Sequence, residues 1–353
     1  MRSPHITLKA GAPDAHLADN KCITNNIMTD MTKKTVSLGV DIGGTNTAIG
    51  VVDAEGNVLV KTNISTPKHG DANLYVAEMA QSIRDLISDV KKLNADVEFA
   101  GIGLGAPNAN YYRGTIEYAP NLSFKGIVPL VDMLKTQFPD MPKIIMTNDA
   151  NAATIGEKVY GGAKGMKEFV MYTLGTGVGS GIVTDGKLVY GNDGFAGECG
   201  HTMLVPGGRM CGCGIRGHLE AYCSAIGMKR TAFELMAEYN ATDSLLANKS
   251  FAELESKDIY DAAVKGDKIA LQVFEITGDY LARGMADTIH HTSPEAIFLF
   301  GGPTAAGDLI FDPIRKNLDK YLLPIFRGKT KILPSSLKRG DAAIVGASAL
   351  VMD

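Results

Sequence analysis

Two short stretches of the chain carry the same arrangement: an apolar strand-like run, a glycine-rich bend containing Gly-Thr, and a second apolar run. The first reads Val36-Ser37-Leu38-Gly39-Val40-Asp41, then Ile42-Gly43-Gly44-Thr45-Asn46-Thr47, then Ala48-Ile49-Gly50-Val51-Val52. The second reads Met171-Tyr172-Thr173-Leu174, then Gly175-Thr176-Gly177-Val178-Gly179-Ser180, then Gly181-Ile182-Val183. Setting Gly44-Thr45 on Gly175-Thr176 puts the copies 131 residues apart, far beyond a solenoid period. Such a chain is expected to fold as two halves of a duplicated architecture.

The bends also constrain chemistry. With no side-chain bulk at the centre, backbone N–H groups can approach an anion and threonine hydroxyls add donors, so phosphate is the guest that suits them. Asp41, at the strand end before the first bend, is placed to hold a hydrated magnesium ion bridging nucleotide phosphates. Neither bend is a P-loop, because no Gly-Lys-Ser/Thr follows at the required spacing. Neither is a dinucleotide fingerprint, which would lead into an apolar helix with an acidic residue ~20 positions on.

Between and beyond the copies, strands alternate with helices. Val76, Met79, Ile83, Leu86, Ile87 and Val90 have the spacing of an amphipathic helix over 74–93. Lys143 to Met146 reads as a short strand ending at Thr147-Asn148-Asp149, with a helix over 150–160 and a largely helical stretch over 227–290. Ala296-Ile297-Phe298-Leu299-Phe300 runs into Gly301-Gly302-Pro303, and Asp341 is placed to cap a closing helix over 342–352. The expected class is α/β with two lobes: a smaller one over 33–148, rejoined by a C-terminal helix at 340–353, and a larger one over 149–339. Residues 1–32 have neither the basic head nor the apolar stretch of a secretory signal and are expected to be a disordered leader, with the cytoplasm as compartment. Thirty-five Lys+Arg against 39 Asp+Glu give a net charge of −4, with no basic run to suit a nucleic acid. The apolar run over 342–352 is interrupted by Gly346 and Ser348 and falls short of the ~20 residues that cross a bilayer, so no membrane partner is expected.

Phosphoryl transfer to a hydroxyl wants a carboxylate at the acceptor. Asp149, at a strand end beside a helix start, is fixed and reachable and could accept the hydroxyl proton. Cysteine usage marks a second centre. Cys22 stands alone, whereas Cys199, Cys211, Cys213 and Cys223 fall within 25 residues of one another, which in a cytosolic chain favours a metal site over disulfides. Gly212 and Gly214 let that loop fold back, so that His201, Cys211, Cys213 and His218 fit a closed structural zinc site. Glu198 and Glu220 flank the ligands, and paired carboxylates beside an imidazole edge suit a hydroxyl-rich ligand such as a sugar.

At these residues the chain resembles the ROK family of bacterial sugar kinases and regulators, within the actin/hexokinase-like (ribonuclease H-like) ATPase superfamily. The resemblance covers roughly 35–353 and is carried by Glu198-x-Gly200-His201, Cys211-x-Cys213-Gly214 and Gly217-His218-x-Glu220. His218 stands where the family usually has Cys, and imidazole is itself a competent zinc ligand. The resemblance implies a two-lobed actin-like fold and an ATP- and magnesium-dependent kinase that phosphorylates a hexose. It implies Asp149 as the base, and Asn148, Glu198, His201 and Glu220, with Asp149, as the sugar-binding set, the histidine meeting zinc with one ring nitrogen and a sugar hydroxyl with the other. Gly43, Gly44, Thr45 and Asn46 match the first phosphate loop, Gly175, Thr176 and Gly177 the second, and Gly301-Gly302 the adenosine loop. Glucose is the leading acceptor; fructose and N-acetylhexosamines stay open, as does a sugar-binding regulator, against which the acidic balance and the missing DNA-binding domain weigh. A homodimer is the assembly the resemblance suggests.

Overall fold

The computed structural model describes residues 34–66 and 70–353, so the expected leader and Cys22 lie outside the described residues. β1 (Lys34–Ile42) pairs antiparallel with β2 (Asn46–Asp53), and β2 with β3 (Val58–Ser65). Parallel pairing needs a crossover, which α1 (Ala72–Leu93) supplies before β4 (Val97–Gly105) joins the other side of β1. Asp71 caps α1 by accepting the Asn73 N–H at 2.8 Å, and Lys91 and Lys92 close its last turn. Its apolar stripe is buried as expected from Val76 to Val90, joined by Tyr75 and Ala80, with Ile87 left at the margin. The short strands β5 (Ala109–Asn110), β6 (Thr115–Glu117) and β7 (Ile127–Val128) form a small sheet of their own, and α2 (Leu130–Gln137) leads into β8 (Ile144–Thr147), parallel to β4.

Helix α3 (Asp149–Tyr160) carries the chain to the second sheet. There β9 (Phe169–Leu174), β10 (Val178–Thr184) and β11 (Lys187–Leu188) form an antiparallel meander. A long excursion follows, holding the cysteine loop, α4 (Glu220–Cys223), α5 (Ala225–Glu238), α6 (Ser256–Val264) and α7 (Lys268–Thr292). The helical stretch foreseen over 227–290 is thus three helices, interrupted at 239–255 and 265–267. Then β12 (Ala296–Gly301) lies parallel to β9, and after α8 (Asp308–Tyr321) β13 (Lys331–Pro334) lies parallel to β12. The orders are β3-β2-β1-β4-β8 and β11-β10-β9-β12-β13, the same path with the same strand directions twice.

The helices after the two fifth strands exchange sides. α3, leaving the first sheet, packs on β9 and β10, whereas α9 (Ala342–Ala349) returns from the second sheet to β1, β2 and β4. Small residues make both contacts possible. A Cβ on Gly39 or Gly103 would collide with the α9 carbonyls of Ile344 and Ala347, and one on Gly181 with the hydroxyl of Thr154 in α3. The two helices cross at Gly156 and Gly346, where a Cβ on Gly156 would stand 2.8 Å from the Gly346 Cα. The closing helix is shorter than the sequence suggests, ending at Ala349 in a turn, and Asp341 does not cap it with its side chain. That carboxylate instead meets Lys61 Nζ of β3 at 2.7 Å. Among the described residues no helix is long and apolar enough to cross a membrane.

Candidate functional site

The two bends stand at matching ends of their sheets. In the first, Ile42 pairs with Thr47, leaving four residues, and Gly43 N–H donates to Asn46 O at 3.0 Å. In the second, Leu174 pairs with Val178, leaving three, and Gly175 N–H donates to Gly177 O at 3.0 Å. Gly44, Thr45, Asn46, Gly175 and Thr176 are exposed. Each bend is tethered through a carbonyl: Thr45 O accepts Thr66 N–H, and Gly175 O accepts Ala225 N–H, both at 2.8 Å. Gly301, at φ +115°, ends β12 against the second bend, where a Cβ would collide with the Leu174 carbonyl. Gly302 follows, so the third glycine loop lies beside the second bend. The first sheet has a counterpart: the turn Gly105-Ala106-Pro107 ends β4 as Gly301-Gly302-Pro303 ends β12.

The acids gather at the first sheet. Asn148 caps α3, its Oδ1 accepting Asn151 N–H at 2.7 Å, and exposed Asp149 turns Oδ1 to Ala150 N–H at 2.9 Å. Asp41 pairs in register with Gly105, and both acids lie beside that glycine: a Cβ there would stand in ordinary contact, 3.7 Å from Asp149 Cα and 3.8 Å from Asp41 Oδ1. Burial, and next the charge of Asp149, push the Asp41 carboxyl up to about 6. Glu198 is likewise raised, first by burial and then by Asp149 and Glu220, with His201 opposing.

In the cysteine loop, one donor atom from each of His201, Cys211, Cys213 and His218 lies within 4.8 Å of all the others. Cys213 Sγ is 3.2 Å from His218 Nδ1, and Cys211 Sγ 3.8 Å from His201 Nδ1. The loop doubles back through Cys211 N–H to Ile215 O at 3.0 Å, with Gly214 at φ +90°. Two thiols and two imidazole nitrogens meeting at one point are the donor set of a tetrahedral zinc ion, and the residues fit it. Cys199 and Cys223 are buried apart from this group. The second nitrogen of His201, Nε2, lies 4.0 Å from Glu198 Oε2.

Glu220 has contacts the sequence did not reveal. One oxygen accepts the Cys211 thiol at 3.1 Å and the other accepts Val178 N–H at 3.1 Å, so it ties the cysteine loop to the second bend. No local pattern announces a tie to a residue 42 positions away. A cleft of about 550 Å³ opens here, lined from the first half by Asn108 and Asn121 and from the second by Thr176, Gly177, His201 and Glu220. Asn148, Asp149, Glu198, Gly301 and Gly302 stand outside its lining.

Comparison with known proteins places the chain in a family. The family model described as ROK family matches residues 37–353. A glucokinase of Thermotoga maritima is 34% identical over 317 residues, covering 90% of this chain and 97% of its own. The crystal structure of a ROK family glucokinase from Streptomyces griseus, in complex with glucose and AMPPNP, superposes with a TM-score of 0.72 at 33% identity, covering 89% of this chain and 98% of that one. A xylose repressor of Bacillus spizizenii is 25% identical, and the match covers 90% of this chain but 77% of the repressor.

Proposed function

This chain belongs to the ROK family, and on that premise we propose that it is an ATP-dependent hexose kinase that transfers the γ-phosphoryl group to the 6-hydroxyl of glucose. One observation carries the reading: Asp41 and Asp149 adjoin across side-chain-free Gly105 while two exposed Gly-Thr bends stand at matching ends of two sheets. The glucokinases match at 33–34% identity and the repressor at 25%, which favours the enzyme over a regulator.

In this mechanism the bends Gly43, Gly44, Thr45 and Asn46, and Gly175, Thr176 and Gly177, hold the triphosphate through the threonine hydroxyls and the backbone N–H groups other than those of Gly43 and Gly175, which close their own bends, with Gly301 and Gly302 beside the adenosine. Asp41 would hold a magnesium ion, which when bound would supply positive charge against the phosphates. Asp149, its carboxylate steadied by Ala150 N–H, takes the proton from the attacking hydroxyl. Asn148 spends its oxygen on the helix cap, which leaves its amide hydrogens for a sugar hydroxyl. Glu198, His201 Nε2 and Glu220 complete the sugar set. His201, Cys211, Cys213 and His218 would hold a zinc ion whose shell they fill, making it structural. Residues 33–148 with 340–353 form one lobe and 149–339 the other, closing on the substrates and excluding water from the γ-phosphate. The enzyme works in the cytoplasm as a homodimer, which sedimentation checks.

The test is ADP release across glucose, fructose, mannose and the N-acetyl sugars. Glucose is expected to give the highest kcat/KM. A higher value for another sugar reassigns the acceptor, and no turnover with any of them overturns the kinase.

A further inference from the structure

Neither phosphate bend contains a lysine or arginine, and the site around them holds Asp41, Asp149, Glu198 and Glu220. A polyphosphate tail entering this ground meets carboxylates, and magnesium answers part of that repulsion. Among the described residues lining the cleft, Arg230 is the one lysine or arginine.

Its position is set by α5. Ser224 caps that helix by accepting Gly227 N–H at 3.0 Å, and the helix's first amide, Ala225 N–H, is the group that tethers Gly175 of the second bend at 2.8 Å. The helix therefore starts on the bend. Ile226 and Arg230, four residues apart and so on one face, both line the cleft. Arg230 lies about 7 Å farther along the axis than Ala225. Its Nη1 donates to Met210 O at 2.6 Å, which steadies the guanidinium; five N–H donors are not exhausted by one bond. Lining shared with Thr176, Gly177, Asn108 and Asn121 puts it where the halves face each other, in a cleft whose lining does not include Gly301 or Gly302.

We infer that Arg230 is a further nucleotide-binding residue, contacting the donor's phosphate tail beyond the α-phosphate. The inference rests on the kinase reading. A planar fork suits phosphate oxygens in a way a lysine point charge does not, and a hydrogen bond to a charged group is worth about 1.5–3 kcal/mol, or about 10–100-fold in affinity.

The experiment compares the full-length protein with Arg230→Gln and Arg230→Lys, measuring ADP and AMP binding by calorimetry, the KM values for ATP and glucose, bound metal and the thermal midpoint. Arg230→Gln is expected to weaken ADP by about 10–100-fold and raise the ATP KM in parallel, with AMP affinity, glucose KM, metal content and midpoint unchanged. Arg230→Lys is expected to recover part of the loss. The inference is overturned if ADP binds the Gln variant as it binds the wild type, or if AMP weakens as much as ADP. It is equally overturned if both variants lose metal and glucose affinity together, for then the arginine only staples the cysteine loop through Met210. Failure of the unaltered protein to bind any nucleotide sinks the kinase reading itself, a result distinct from these.

Discussion

The two sheets follow one path but carry different chemistry. Asp41 and Thr173 occupy the same place, one residue before the end of the first strand and opposite Ala48 and Gly179 across their hairpins. The first sheet thus puts a carboxylate where the second puts a hydroxyl. Beyond the fifth strands the contrast repeats: β8 gives way to Asn148-Asp149, whereas β13 gives way to Ser335-Ser336, which bind buried Glu157 of α3 through the Ser335 hydroxyl and the Ser336 N–H at 3.1 Å. The second half adds instead the excursion between β11 and β12 with its thiol–imidazole cluster. The same strand path and glycine bend occur twice, and a few equivalent positions decide which half holds the acids.

The largest expected effect tests that division directly. Asp149→Asn should lower kcat by about 10²–10⁴-fold while glucose binding, measured by calorimetry, stays within a few-fold. Near-normal turnover in that variant would remove the acid from the reaction and leave Asp41 as the one carboxylate that sets the first half apart.

Asp41→Asn should separate function from stability. The Asp41 carboxyl is pushed up to about 6 in the fold from the ordinary aspartate value of 3.8, so the folded state binds the extra proton and its stability falls as pH rises from about 4 through 6. Removing the charge should then raise the thermal midpoint of the ligand-free protein at pH 7.5, by up to about 3 kcal/mol of stability, and do little at pH 4. Turnover should drop with it, because magnesium loses its anchor. A midpoint that responds equally at both pH values would detach the shift from Asp41. The matching change in the second half, Thr173→Val, should leave this pH dependence untouched.

Cys213→Ser aims at what the second half has alone. Loss of one thiolate from the four-donor set should release zinc, measured by metal analysis, lower the midpoint and raise the glucose KM about tenfold through His201 and Glu220. Because Glu220 also holds Val178 N–H, the ATP KM should rise with it. Purified, active wild-type protein without zinc would strike out the metal assignment.

Much of this molecule was legible because its signals are local. The Gly-Thr bends are written in runs of about ten residues, the buried stripe of α1 in 3–4 spacing, and the thiols and imidazoles that cluster within 18 positions. Other features, like the Glu220 tie to Val178, were not, and each depends on a distant partner. Asp341 reads as a helix cap until Lys61, 280 positions earlier, takes its carboxylate. Glu157 reads as an ordinary helix residue but is fully buried, satisfied by Gly162 N–H at 2.6 Å and by the serines 178 and 179 positions on. The Gly156–Gly346 crossing joins residues 190 apart, and nothing near either glycine distinguishes it from a flexible spot. The exchange of α3 and α9 between sheets follows from such contacts.

The smallest effects fall on the two threonines, where the comparison is sharpest. Thr45→Ala and Thr176→Ala each remove one hydroxyl donor from an exposed bend while sparing the backbone tethers, which run through the Thr45 carbonyl and the Gly175 carbonyl. One hydrogen bond to a phosphate oxygen in a solvent-accessible bend is worth about 1 kcal/mol, so each change should raise the ATP KM about 3–10-fold and leave the glucose KM alone. The double variant then reads out whether the bends act separately. If each grips its own phosphate, the two losses add within about 0.5 kcal/mol. If both hydroxyls reach the same phosphate, the second loss is smaller than the first, and the halves are one grip rather than two.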